Sequence, residues 1–281
     1  AVYMTSYSRL EENRPWEQGM DERKWLYQTP MDILIKASNG ASDFGNKFGQ
    51  PLITGSVLTF EHDEDARKLG FDKVIMQAGG IGYGKAEQAL KDTPEDGDKI
   101  VILGGENYRI GMGGAAVSSA DTGGNSAGIE LNAIQRSNPE MQKRAANAVR
   151  GMVESDINPI VSIHDHGAGG HLNCLSELVE DTGGKIDLDK LPVGDPTLSA
   201  KEIIGNESQE RMGLVIAKKD VDTLKRIADR ERSPMYEVGD VTNDDRFTFK
   251  SNTTGEKPMD LELSDMFGSS PKTIMTDKTV V

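Results

Sequence analysis

The chain has 281 residues, 36% hydrophobic and 28% charged, with a formal net charge of −14. That negative balance argues against nucleic acid and anionic membranes, which demand a cationic footprint, but leaves room for a phosphorylated small molecule held by local donors. No stretch approaches the roughly 18 continuous apolar residues of a membrane span and no signal peptide is evident, so a cytoplasmic setting is expected.

Residues 1–28 carry both tryptophans, Trp16 and Trp25, without a sustained period, and read as a connecting arm lying on another surface. The chain opens at Ala1, with its first methionine at Met4, like a cut from a longer polypeptide. Residues 30–37 (PMDILIKA) read as a helix with Pro30 in its first turn. Residues 38–51 read as glycine-punctuated loop, and 52–60 (LITGSVLTF) and 73–78 (KVIMQA) as strands. The run 79–84 (GGIGYG) closes the second strand.

Residues 99–103 (KIVIL) form another strand, which runs into GGENYRIGMGGAAVSS at 104–119. Its glycines and exposed turn amides suit an oxyanion, although a plain hairpin fits as well. The loop lacks the lysine of a Walker A loop and the spacing of a dinucleotide loop. Asn138-Pro139-Glu140 opens a helix with a capping side chain, proline at the first position and an acid in the first turn. Met141, Ala145, Val149, Met152 and Val153 make its core stripe, and Gln135 projects from its entry.

The segment 163–173 (IHDHGAGGHLN) organises the rest. An apolar strand at 160–163 ends near Asp165, three glycines follow, and Leu172, Leu175, Leu178 and Val179 continue at helical spacing. A carboxylate at a strand end beside a helix N-terminus suits phosphate and Mg²⁺, or Asp165 simply caps the turn. His164, His166 and His171 invite a zinc reading. Strand alternation, however, puts His164 and His166 on one face and Asp165 on the other, and a fourth ligand is lacking. The single cysteine, Cys174, excludes an internal disulfide and reads as a packing residue in the helix.

Residues 199–204 suggest a short helix. Glu207, Ser208 and Gln209 form a polar turn ahead of a strand at 212–217. An amphipathic helix follows at 219–232, with Val221, Leu224 and Ile227 inward. Strands at 235–241 and 247–250, a short helix at 261–267 and a polar tail close the chain. With no repeat and no linker between 30 and 267, this predicts one α+β domain, a mixed sheet layered with helices.

Four motifs carry a family resemblance: GGENYRIGMGGAAVSS, IQRSNPEMQKR, IHDHGAGGHLNCLSELVEDTGG and IGNESQERMGLVI. In this order and spacing they closely resemble phosphoribosylformylglycinamidine synthase of the large, multidomain type. The resemblance implies an aminoimidazole ribonucleotide synthetase-like C-terminal domain at 29–267, the larger half of the first synthetase pair. It further implies a connecting arm at 1–28 and the start of a linker at 268–281. The family joins formylglycinamide ribonucleotide, ATP and glutamine into formylglycinamidine ribonucleotide through an iminophosphate.

Carried over by motif, Gln135, Glu207, Ser208 and Gln209 would hold the ribonucleotide and Asp165 would ligate Mg²⁺. No role is carried over to Glu106 or Arg109. The glutaminase, and the residues that grip ATP, would belong to other domains of the synthetase, which would be this chain's partners. The piece alone would be inactive. Two further readings stand beside this one: a non-catalytic scaffold domain of the same enzyme, and a histidine-based zinc module.

Overall fold

The computed structural model describes residues 1–6, 15, 28–121, 124–136 and 138–278. The chain divides into two compact units, Ala1–Ala86 and Glu87–Val281. This division falls inside the expected 29–267 domain. Of the expected arm, residues 16–27, with both tryptophans, lie outside the described residues, and its first residues belong to a sheet.

In the first unit the elements run β1 (Val2–Thr5), α1 (Pro30–Phe48), β2 (Ser56–Thr59), β3 (Glu61–Glu64), β4 (Arg67–Gly70) and β5 (Ile75–Gln77). β1 lies between β2, its parallel neighbour, and β5, its antiparallel one. β3 and β4 form a hairpin that the sequence reading missed, because its tight turn uses Asp65 and Ala66 at φ 48° and 60° instead of glycine. α1 runs through the residues expected to form a loop. The Thr29 side chain caps the Asp32 amide at 3.1 Å, and Gly49 ends the helix at φ 71°. Gly45, inside it, marks close packing: a Cβ there would lie 2.1 Å from the Gln50 carbonyl oxygen.

The second unit begins with β6 (Lys99–Leu103), followed by α2 (Gly114–Ser119), α3 (Ala127–Ala133), α4 (Pro139–Val153), β7 (Ile160–His166) and α5 (Gly170–Glu177). Then come β8 (Gly184–Asp187), α6 (Ala200–Ile204), β9 (Ser208–Ile216), α7 (Val221–Glu231), β10 (Met235–Val241), β11 (Arg246–Lys250), β12 (Met259–Glu262) and α8 (Leu263–Met266). Seven of these strands form one sheet in the order β12-β11-β8-β10-β6-β9-β7. Only β11 and β8 pair in parallel, so the sheet is mixed as expected. β8 escaped the sequence reading, and β12 takes the first two residues of the expected last helix.

β6 explains the layering. Its continuous apolar run has no polar face because both faces are covered. Ile100 and Ile102 pack with Leu175, Leu178 and Val179 on the α5 side. Val101 and Leu103 pack with Ala145, Ala148, Met152 and Leu224 of α4 and α7 on the other. Of the predicted stripe on α4, Ala145 and Met152 are core, Val149 and Val153 pack against it and Met141 stands outside it, while Asn138 caps the helix by accepting from the Met141 amide at 3.1 Å. Cys174 is buried in the first layer, where desolvation pushes its thiol far up.

Candidate functional site

Three polar segments of the second unit meet at Glu207. Its carboxylate is 3% exposed and accepts from the Gln135 Nε2 at 3.2 Å, the Ala115 amide at 3.2 Å and the Gly169 amide at 3.4 Å. The Glu207 amide in turn donates to the Gly111 carbonyl at 2.8 Å, and the Gly111 amide to the Ile134 carbonyl at 2.9 Å. Gln135 and Glu207, 72 positions apart, are thus in direct contact. The carboxylate stands where an anion would sit, facing amides at the starts of α2 and α5.

The glycines of 104–114 serve this closure. A Cβ on Gly104 would lie 2.3 Å from the Glu210 carbonyl oxygen, and one on Gly111 would lie 2.2 Å from that of Glu207. Gly170, at φ 58°, approaches the Asn206 carbonyl in the same way, its Cβ position being 2.4 Å away. Glycine is required at these points because backbone packs on backbone.

β9 starts earlier than expected, at Ser208, so Ser208 and Gln209 belong to the strand. His166 pairs with Ser208 while Asp165 pairs with Met212, which leaves Gln209, Glu210 and Arg211 in a bulge. Such a bulge re-aims side chains. Gln209 is exposed, whereas Glu210 and Arg211 are buried. Glu210 accepts from Arg136 Nε at 3.0 Å, and the Arg136 guanidinium carbon lies 4.6 Å from the Tyr108 ring centroid. The Ser208 hydroxyl is buried and has no hydrogen-bond partner among the described residues.

The register break also separates the histidines, so the expected alternation fails. His164 pairs with Glu177 at 2.5 Å, while His166 is fully buried with its Nε2 2.9 Å from His171 Nδ1. His171 Nε2 faces Arg211 Nη1 at 2.7 Å. Arginine has no acceptor, so His171 Nε2 must accept and its Nδ1–H donates to His166. Burial first, and the Arg211 charge second, hold both imidazoles well below the usual histidine range. Arg211, lowered by burial to about 9, stays cationic at neutral pH. Among the described residues no three His, Cys, Asp or Glu side chains converge as a metal site. Geometry therefore gives the zinc reading no support.

Asp165 behaves differently from Glu207. Its side chain is 69% exposed; one oxygen accepts from the Gly167 amide at 2.7 Å and the other lies 4.0 Å from His164 Nδ1. It stands at the head of the turn whose Gly169 amide reaches Glu207. A lone accessible carboxylate fits Mg²⁺, which takes one or two carboxylates and completes its shell from phosphate and water. A cleft of about 430 Å³ opens beside Glu207, walled by Gly113, Ala115, Gly169 and Leu172, with Lys201 at its rim. A larger one, about 830 Å³, is lined by Glu180, Asp181, Asp244, Asp245 and Glu262 and touches none of the five candidate residues.

A layered mixed sheet with these motifs defines a class. Residues 95–252 match the model for the AIR synthase related protein, C-terminal domain, and the chain belongs to that family. Its relatives narrow this. It is 42% identical over 269 residues to phosphoribosylformylglycinamidine synthase of Dictyostelium discoideum, covering 94% of this chain and 20% of that protein. Against the Homo sapiens enzyme of the same name the identity is 38% over 278 residues, 92% of this chain and 21% of the relative. The chain thus spans about a fifth of these curated relatives. Among solved structures, T. maritima PurL complexed with FGAR aligns over 100% of this chain and 41% of its own, at 22% identity and a TM-score of 0.69. That likeness is one of fold.

Sequence reasoning missed Asn107, Asn206, Arg136, Glu210 and Arg211. No signal marked Arg211, because the residues before it, Asn206 to Glu210, are all polar and read as an exposed turn.

Proposed function

We propose that this chain supplies ribonucleotide- and Mg²⁺-binding residues to an ATP-dependent ligase. The reaction is the conversion of formylglycinamide ribonucleotide, ATP and glutamine to formylglycinamidine ribonucleotide. The observation that supports it most is the contact between Gln135 and Glu207, with Asp165 at the head of the turn that reaches the same carboxylate. In this reading Gln135 and Gln209 hydrogen-bond the ribonucleotide, and the buried Ser208 hydroxyl offers a further partner. Glu207 fixes the Gln135 amide and the two glycine turns.

Asp165 would hold Mg²⁺, which when bound neutralises charge on a transferring phosphoryl group. Other domains of a longer synthetase would bring the glutaminase and the groups that grip ATP, and residues 268–281 would begin the linker to one of them. The chain by itself would then be inactive. No helix of the described residues is long and apolar enough to cross a membrane, and the reading includes a cytoplasmic setting.

The test uses the longest natural polypeptide carrying this chain. Asp165→Asn and Gln209→Ala should each lower kcat/KM about tenfold or more, roughly 1.4 kcal/mol of transition-state stabilisation. Near-wild-type kinetics in both variants would turn the assignment over to a scaffold domain.

A further inference from the structure

Among the described residues Arg211 is the largest fully buried side chain, and no carboxylate among them is hydrogen-bonded to its guanidinium. Glu210, its neighbour in sequence, gives its carboxylate to Arg136 instead. The partners of Arg211 are neutral: Asn107 Oδ1, His171 Nε2 at 2.7 Å, and Asn206 through its carbonyl at 2.8 Å and its Oδ1 at 2.5 Å. Glu210 attracts Arg211 through space alone, and burying a charge without a directly bonded counter-charge costs stability, so packing alone does not favour arginine here. What the planar fork gains is geometry, because several donors leave one rigid group in fixed directions.

Each partner belongs to a different segment of the candidate site. Asn107 sits in the glycine loop, His171 in the first turn of α5, and Asn206 immediately before Glu207. Asn206 passes the restraint on, its Nδ2 donating to the Tyr108 carbonyl at 2.9 Å and the Ile110 carbonyl at 2.8 Å. Gly104, Gly111 and Gly170 let these backbones close around the same point.

We propose that Arg211 is the positioning residue of the site: its fork registers the glycine loop, the start of α5 and the Asn206–Ser208 turn as one unit. Gln135, held by Glu207, and Gln209 are thereby presented together to a phosphorylated ligand. The ligand half of this statement rests on the function proposed above. The registration half stands on the fold.

The test compares Arg211→Lys, which keeps the charge and loses the fork, with Arg211→Met, which keeps the length and loses both. Both are made in the longest natural polypeptide carrying the chain. The first readout is backbone hydrogen exchange, followed by mass spectrometry. Exchange should rise about tenfold or more in residues 105–112 and 205–209 in both variants, with 100–103 and 213–216 unchanged. The second is the KM for formylglycinamide ribonucleotide, which should rise at least as much as in Gln209→Ala.

A uniform rise in exchange across the sheet would reduce Arg211 to a stability element and overturn the proposal. So would wild-type exchange and KM in Arg211→Lys. Should Arg211→Met fail to fold, the lysine variant decides alone. If Gln209→Ala leaves KM unchanged, the substrate reading has failed, and the exchange pattern still judges the registration.

Discussion

Residues 79–84 (GGIGYG) and 104–114 (GGENYRIGMGG) each follow a strand and are comparably rich in glycine, yet they do opposite things. In the first, a Cβ on Gly79, Gly80, Gly82 or Gly84 would meet nothing within 4 Å among the described residues, and Ile81 and Tyr83 are 98% and 101% exposed. In the second, Gly104, Gly105, Gly111 and Gly114 all face atoms of Arg136, Glu207 or Glu210 closer than a real Cβ allows. Glycine density therefore does not mark a site. What marks it is a second segment whose backbone needs the space, and here that segment is the Asn206–Arg211 run. The pairing also corrects the simplest picture of an anion loop: Ala115 and Gly169 give their amides to an internal carboxylate.

The sharpest way to break this contrast is to put a methyl group where backbone meets backbone. Gly111→Ala combines a left-handed φ of 75° with a Cβ 2.2 Å from the Glu207 carbonyl oxygen. The left-handed region costs an alanine about 1–2 kcal/mol and overpacking about 1–3 more, so a loss of roughly 2–5 kcal/mol in denaturant unfolding is expected. Glu207→Gln comes next. The new amide turns one acceptor into a donor facing Gln135 or the two backbone amides, and a buried group left unpaired costs about 1–3 kcal/mol. Asp165→Asn, by comparison, should stay within about 0.5 kcal/mol of wild type, since its side chain is mostly exposed and the retained oxygen still caps Gly167. A loss above 2 kcal/mol there would remove the distinction between the two acids.

These differences measure how much was readable beforehand. The α4 cap, the β6 strand and the α4 stripe were legible because period and capping chemistry are local. Gln135, Asp165 and Glu207 could be singled out by type and by family resemblance, but the meeting of Gln135 and the Gly169 turn at Glu207 depends on pairings 72 and 38 positions apart. Arg211 was invisible for a different reason. The bulge at Gln209–Arg211 reverses the inside–outside alternation, and nothing in the letters SQER announces it. The same break defeated the reading of the three histidines. In the first unit, α1 runs through the expected loop because Gly40 and Gly45, which read as punctuation, are tolerated in a helix at about 1 kcal/mol each.

The buried histidine pair supplies a smaller, pH-dependent test of the second glycine segment, since His171 borders Asn107 at 3.0 Å. His166 and His171 have folded pKa values well below the ordinary 6.5, through burial and the nearby Arg211. The unfolded chain then binds more protons than the folded one below about pH 6.5, so their stability contribution is complete above that pH and is lost on acidification. Each should cost up to about 1.4 kcal/mol per pH unit through this window. A His171→Gln variant should show a shallower fall in Tm between pH 6.5 and 5 than the unsubstituted protein. An equal slope would mean that the imidazoles titrate freely and that the buried string is not closed.

The smallest effect lies at the open segment and is predicted to run the other way. Gly82 is not at a left-handed φ, and an added Cβ has no neighbour. An alanine can adopt that backbone without strain, while the unfolded chain loses some of its freedom, an effect of about 0.4–1 kcal/mol in favour of folding. Gly82→Ala should therefore leave stability unchanged or slightly improved, by the same denaturant measurement that registers Gly111→Ala as a loss. The two substitutions are chemically identical, so their difference isolates what surrounds each glycine. If Gly82→Ala proved as costly as Gly111→Ala, the run 79–84 would have to close on some other surface as tightly as the Gly104 loop closes on Glu207. The contrast between a spacer and a scaffold of close contacts would then be lost.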